Sequence, residues 1–161
     1  MEGVELHRKS VPMETLVPLL QLQMENGGRA NLTVTGYSMM PMLRNRKDTV
    51  ELAKAEGVQK KGDIILYKRD SGAYVLHRII SVKDGGYICC GDNQYEREPV
   101  SVEQVLAVVT GFARKGRSYT VKDRAYRLYV AVWVGLFPLR KSYIAVRRRL
   151  GRWRRNWEKV N

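Results

Sequence analysis

The chain has 161 residues, 44% of them hydrophobic and 28% charged, and a formal net charge of +13. That length supports one domain with a real core and an appendage, and the composition excludes a disordered or collagen-like chain. The charge is uneven: residues 1–113 hold 14 Lys and Arg against 14 Asp and Glu, whereas residues 114–161 hold 15 against Asp123 and Glu158. The last third therefore carries the whole excess, as suits a segment that meets an anionic surface, either membrane or nucleic acid.

The start, Met1 to Ser10, is charged and mixed, and no secretory signal follows it. Met13, Leu16, Val17, Leu20 and Met24 recur at helical spacing. Residues 11–25 thus read as an amphipathic helix, capped by Ser10 and ended by Asn26-Gly27-Gly28. Pro12 fits the first turn, while Pro18 inside the pattern predicts a kink or a shorter helix.

From residue 29 to 113 the period changes to two. Strands are expected near 30–35, 48–53, 63–68, 74–82, 86–90 and 104–113, with hairpin-type turns at Asp70-Ser71-Gly72 and Asp84-Gly85-Gly86. Many short strands at close spacing predict a mainly β fold, a compact antiparallel barrel or sandwich. Cys89 and Cys90 are adjacent, so on a strand they point to opposite faces and are poorly placed to bridge. No metal-ligand spacing can be built from them, and no cofactor is expected.

Gly116, among Arg114, Lys115 and Arg117, marks a boundary. The organisation read from the chain is an N-terminal helix and lead-in (1–28), a β domain (29–113) and a basic, aromatic helical tail (114–161). Ala125 to Leu139 is apolar and aromatic apart from Arg127, and Pro138 separates two helices. Leu128 to Leu139 is too short to span a bilayer, and Arg140-Lys141 stops any extension. Beyond it, Arg147, Arg148, Arg149, Arg152, Arg154 and Arg155 interleave with Ile144, Val146, Leu150, Trp153 and Trp157. Such a pattern fits an element lying in an anionic membrane surface, here residues 125–159. The alternatives are a helical hairpin packed on the barrel and a nucleic-acid-binding tail; the last lacks a recognisable motif and is disfavoured.

The candidate chemistry begins at Thr35-Gly36-Tyr37-Ser38-Met39-Met40-Pro41-Met42-Leu43. Gly36 permits a tight turn and Pro41 stiffens it, so the Ser38 hydroxyl is presented at a strand end. A serine becomes a nucleophile when a base takes its proton. His7 lies in the charged start, whereas His77 sits in the strand-like Tyr74-Val75-Leu76-His77-Arg78-Ile79-Ile80. An acid to orient the imidazole is available in Cys90-Gly91-Asp92-Asn93-Gln94, a string that equally suits an ordinary Asx turn. Asp48 and Asp63 read as strand-start residues.

Four ordered strings together resemble the type I signal peptidases and the wider superfamily of LexA-type serine peptidases. Gly36-Tyr37-Ser38-Met39-Met40-Pro41-Met42-Leu43 looks like their serine box, and Lys61-Gly62-Asp63-Ile64-Ile65-Leu66-Tyr67 like the strand that follows. His77-Arg78-Ile79-Ile80 looks like the base box, and Gly91-Asp92-Asn93 like the acidic box. The resemblance covers about residues 30–113. Histidine followed by arginine is similar to the endoplasmic-reticulum-like branch, whereas typical bacterial members carry lysine. The resemblance implies a signal-peptidase-like β fold and a serine endopeptidase. In it Ser38 attacks, His77 carries the proton, and Asp92 or Glu98 holds the imidazole. Arg78 would be structural.

The chain departs from that family in three places. Lys47-Asp48 stands where Gly-Asp is usual, Glu98 stands where a second aspartate is usual, and no N-terminal membrane span is present. The expectation is therefore a cytoplasmic enzyme, peripheral on the inner membrane face, that trims a peptide or protein precursor such as a leader peptide. A non-catalytic peptide-binding module of the same fold is the alternative. A self-cleaving regulator fares worse, since no Ala-Gly dipeptide is present to be cut.

Overall fold

The computed structural model describes residues 11–25, 27–140, 142–146 and 149. The protein is mainly β, with 35% strand against 28% helix, built as a curled antiparallel half-barrel sheet between an N-terminal and a C-terminal helix. Eight strands make one sheet, so the expected barrel or sandwich is an open, curled sheet. They are β1 (Ala30–Thr33), β2 (Thr49–Ala53), β3 (Ile64–Lys68), β4 (Tyr74–Lys83), β5 (Gly86–Cys90), β6 (Glu98–Ser101), β7 (Val105–Arg114) and β8 (Arg117–Thr120). Their order across the sheet is β1-β2-β7-β3-β4-β5-β6, with β8 paired to β7.

Two strands escape the sequence pattern. β6 contains Pro99, which has no N–H to give a ladder, and it lies at the sheet edge where that costs least. β8 is exposed along its whole length, so it shows no alternation to read. It extends the sheet past residue 113. Helix α1 (Met13–Glu25) continues through Pro18 and is not shortened by it. Pro18 is exposed, and so is Glu14 one turn before it, whose freed carbonyl can turn to water. The Ser10 cap, His7 and most of the basic run after residue 146 lie outside the described residues.

The apolar run of β3 is buried on both faces, since the sheet separates two cores. On one face Val17, Leu20 and Met24 of α1 meet Ile64, Leu66, Met39, Met42 and Leu43. On the other, Ile65, Tyr67, Ile79, Tyr87, Cys89 and Val100 form a second cluster. Helix α2 (Arg124–Gly135) follows β8, and a 3-10 turn at Phe137–Leu139 carries Pro138 and separates it from helical residues 142–146. α2 adds Tyr126 to the first core.

Candidate active site

The loop between β1 and β2 carries Ser38, and buried Asp48 closes it. The Asp48 carboxylate accepts hydrogen bonds from the Arg44 backbone N–H at 2.8 Å and from Arg44 Nη2 at 2.6 Å. Burial alone would raise the Asp48 pKa, but the hydrogen bonds and charge of Arg44 outweigh it and hold the carboxyl below its usual value. Arg114 of β7 donates to the Met42 carbonyl at 2.8 Å. At the turn, Gly36 takes a φ of 87°, where a side chain would be strained, and donates to Asn45 Oδ1. Met39, Met42 and Leu43 anchor the far side in the first core. Ser38 is left half-buried.

His77 and Arg78 are neighbours on β4 and point to opposite faces. Arg78 is fully buried and forms a bidentate pair with fully buried Asp92, at 2.8 and 2.7 Å. It also donates to the Gly62 carbonyl and to Tyr126 Oη, and Tyr129 Oη donates to Asp92. Asp92 is therefore held by Arg78. Among the described residues it makes no hydrogen bond with His77; of the two acids left open by the sequence, Glu98 is the one on the His77 side. Alternation along β4 is the cause, because Asp92 serves the Arg78 face.

His77 is 4% exposed and faces Tyr67. Tyr67 Oη donates to Glu98 Oε2 at 2.9 Å and lies 3.2 Å from His77 Nδ1. A phenol has one hydrogen; with that hydrogen on Glu98, the oxygen accepts from Nδ1–H. This assigns the neutral imidazole proton to Nδ1 and leaves Nε2 with a lone pair that can accept a proton. Glu98 is fixed in turn by Arg69 at 2.5 and 2.6 Å, which holds its carboxyl below the usual range. Burial lowers the His77 pKa to about 4 although Glu98 pulls the other way. Burial and Glu98 raise the Tyr67 pKa, keeping it a neutral phenol.

Ser38 packs against Gly91, the residue that follows β5. Arg78 pairs with Cys90 across β4 and β5. One more step in that register would set Gly91 opposite His77, with its missing side chain on the His77 face. Ser38 fills that space. A Cβ on Gly91 would lie 2.7 Å from the Ser38 carbonyl oxygen and 3.0 Å from Ser38 Cβ. The Asn93 N–H donates to the same carbonyl at 2.7 Å. Among the described residues the Ser38 hydroxyl has no hydrogen bond, and its amide N–H is likewise undonated.

Of the residues singled out in the sequence, His77 and Glu98 meet through Tyr67, and Ser38 packs against Gly91. Tyr67 and Gly91 were not singled out as site residues. Tyr67 lies two residues after Ile65, the β3 partner of His77, which puts its polar tip on the same buried face. A cleft of about 530 Å³ lies elsewhere, between α2 and the 60–63 turn, and neither Ser38 nor His77 lines it. Among the described residues no group of His, Cys, Asp and Glu is placed to hold a metal ion. In comparison with known proteins, no family profile, no curated protein and no solved structure matches this chain.

Proposed function

We propose that this protein is a serine endopeptidase, similar to the histidine-base signal peptidases, that cleaves a peptide or protein precursor such as a leader peptide. The observation that carries the reading is the close approach of Ser38 to Gly91, on the strand end that runs alongside His77. Ser38 Oγ attacks the scissile carbonyl carbon, and His77 Nε2 takes its proton. The Ser38 N–H would donate to the developing oxyanion. The C–N bond then breaks as the imidazolium returns the proton to the leaving amine. Water, activated by the same nitrogen, releases the acyl group from Ser38. Tyr67 and Glu98 hold Nδ1–H throughout and stabilise the imidazolium.

A second reading, a non-catalytic peptide-binding module, draws on the missing Ser38–His77 hydrogen bond. Catalytic hydrogen bonds are often long in free enzymes and tighten with substrate, which favours the enzyme. New peptide N-termini compared between cells expressing the wild type and Ser38→Ala decide between them. Termini confined to the wild type are expected, and their flanking residues would define the substrate. Identical sets from two folded proteins would leave the binding module.

A further inference from the structure

We propose that the exposed apolar face of α2 and the helical residues after it is a docking surface for an anionic membrane. This goes beyond the proteolytic reading and does not depend on it. One side of α2 is spent on the protein: Tyr126 and Tyr129 reach the Arg78–Asp92 pair, Val134 is buried, and Tyr129 stacks on Trp133. The opposite side is uncovered. Leu128 is 67% exposed and Leu139 64%, with Val132 and Leu136 exposed between them. Leu128, Val132 and Leu136 follow one another at steps of four, the spacing of a single helical face, and Leu139 lies exposed on the 3-10 turn just beyond. Isolated exposed leucines are ordinary; a continuous apolar strip at the surface marks an interaction site.

Charge selects the occupant. Lys122, Arg124, Arg127 and Arg149 are exposed around the strip. Arg124 sits one turn before Leu128, so the two share a face. The only acids after residue 113 are Asp123, which accepts hydrogen bonds from Thr120, and Glu158. A second copy would bring the same positive charge against this face and be repelled. A phosphate backbone would match the arginines but leave the leucines in water. An anionic bilayer satisfies both, with leucines among the acyl chains and arginines at the headgroups. Among the described residues no helix is long and apolar enough to cross a membrane, so the element lies along the surface.

The test is co-flotation of the full chain with vesicles of phosphatidylcholine alone or mixed with phosphatidylglycerol. Flotation is expected with the mixed vesicles and little with the neutral ones. Leu128→Asp/Val132→Asp should weaken it by about tenfold or more for each apolar side chain withdrawn from the interface. Arg124→Glu/Arg127→Glu should weaken it most at low salt. All substituted side chains except part of Arg127 face solvent, and circular dichroism confirms that folded proteins are compared; Leu139→Asp alone gives an independent reading. Wild type that fails to float, or double variants that float equally well, would overturn the proposal. So would a wild-type dimer that Leu128→Asp/Val132→Asp dissociates, which would assign the face to a second copy, or tight duplex DNA binding without vesicle binding.

Discussion

At the scale of single residues, His77 sets the pH response. Its pKa near 4, lowered by burial, keeps the imidazole neutral and able to accept a proton well below neutrality. The acid limb of kcat/KM should therefore fall with an apparent pKa of about 4, where a solvated histidine would give about 6.5. The same shift affects stability. The folded pKa lies below the unfolded one, so the unfolded chain binds more protons between pH 6.5 and 4. Unfolding free energy should drop by about 3 kcal/mol as pH falls through that window. Urea midpoints measured alongside rates would check both. Gly91 makes a second residue-scale claim. In Gly91→Ala the new methyl would meet Ser38 backbone and Cβ, so the serine must move. An ångström of displacement commonly costs about a hundredfold in rate, so kcat should fall by about that much. The overpacking should cost about 1–3 kcal/mol in urea unfolding. Full activity in Gly91→Ala would show that Ser38 does not depend on this contact.

At the scale of elements, the Arg78–Asp92 pair ties three pieces together: β4, the loop after β5 and α2, through Tyr126 and Tyr129. Removing one partner strands a buried charge. Asp92→Asn should lose about 3–5 kcal/mol, read as a lower urea midpoint, while the folded fraction keeps most of its kcat. The reverse pattern, normal stability with a collapsed rate, would return Asp92 to the catalytic group. The elements also show what a sequence displays and what it hides. β3 to β5 were legible because their apolar runs and Asp-Gly turn are local signals. β8 was not, because every one of its side chains faces water. Ser38, His77 and Asp92 stood in recognisable strings, and Glu98 in a place where the string departed from the pattern. Tyr67 and Gly91 gained their roles from register, which pairs residues far apart in the chain and leaves no trace in either string alone. The choice between Asp92 and Glu98 was hidden for the same reason, since it turns on which face of β4 each acid meets.

At the scale of the whole molecule, the sheet has two halves. β1 and β2 carry the Ser38 loop on one side, and β3 to β6 carry His77, Tyr67 and Glu98 on the other. β7 lies between them and pairs with both β2 and β3. Its last residue, Arg114, holds the Ser38 loop at Met42, and Arg140 later donates to the Gly91 carbonyl at 3.2 Å. Neither half contains the proposed nucleophile and base together. A ribosome making this chain from the N-terminus releases the serine early, but the strand that joins it to its base comes late. On the proposed reading, a nascent chain would keep the nucleophile apart from its base until β7 has emerged.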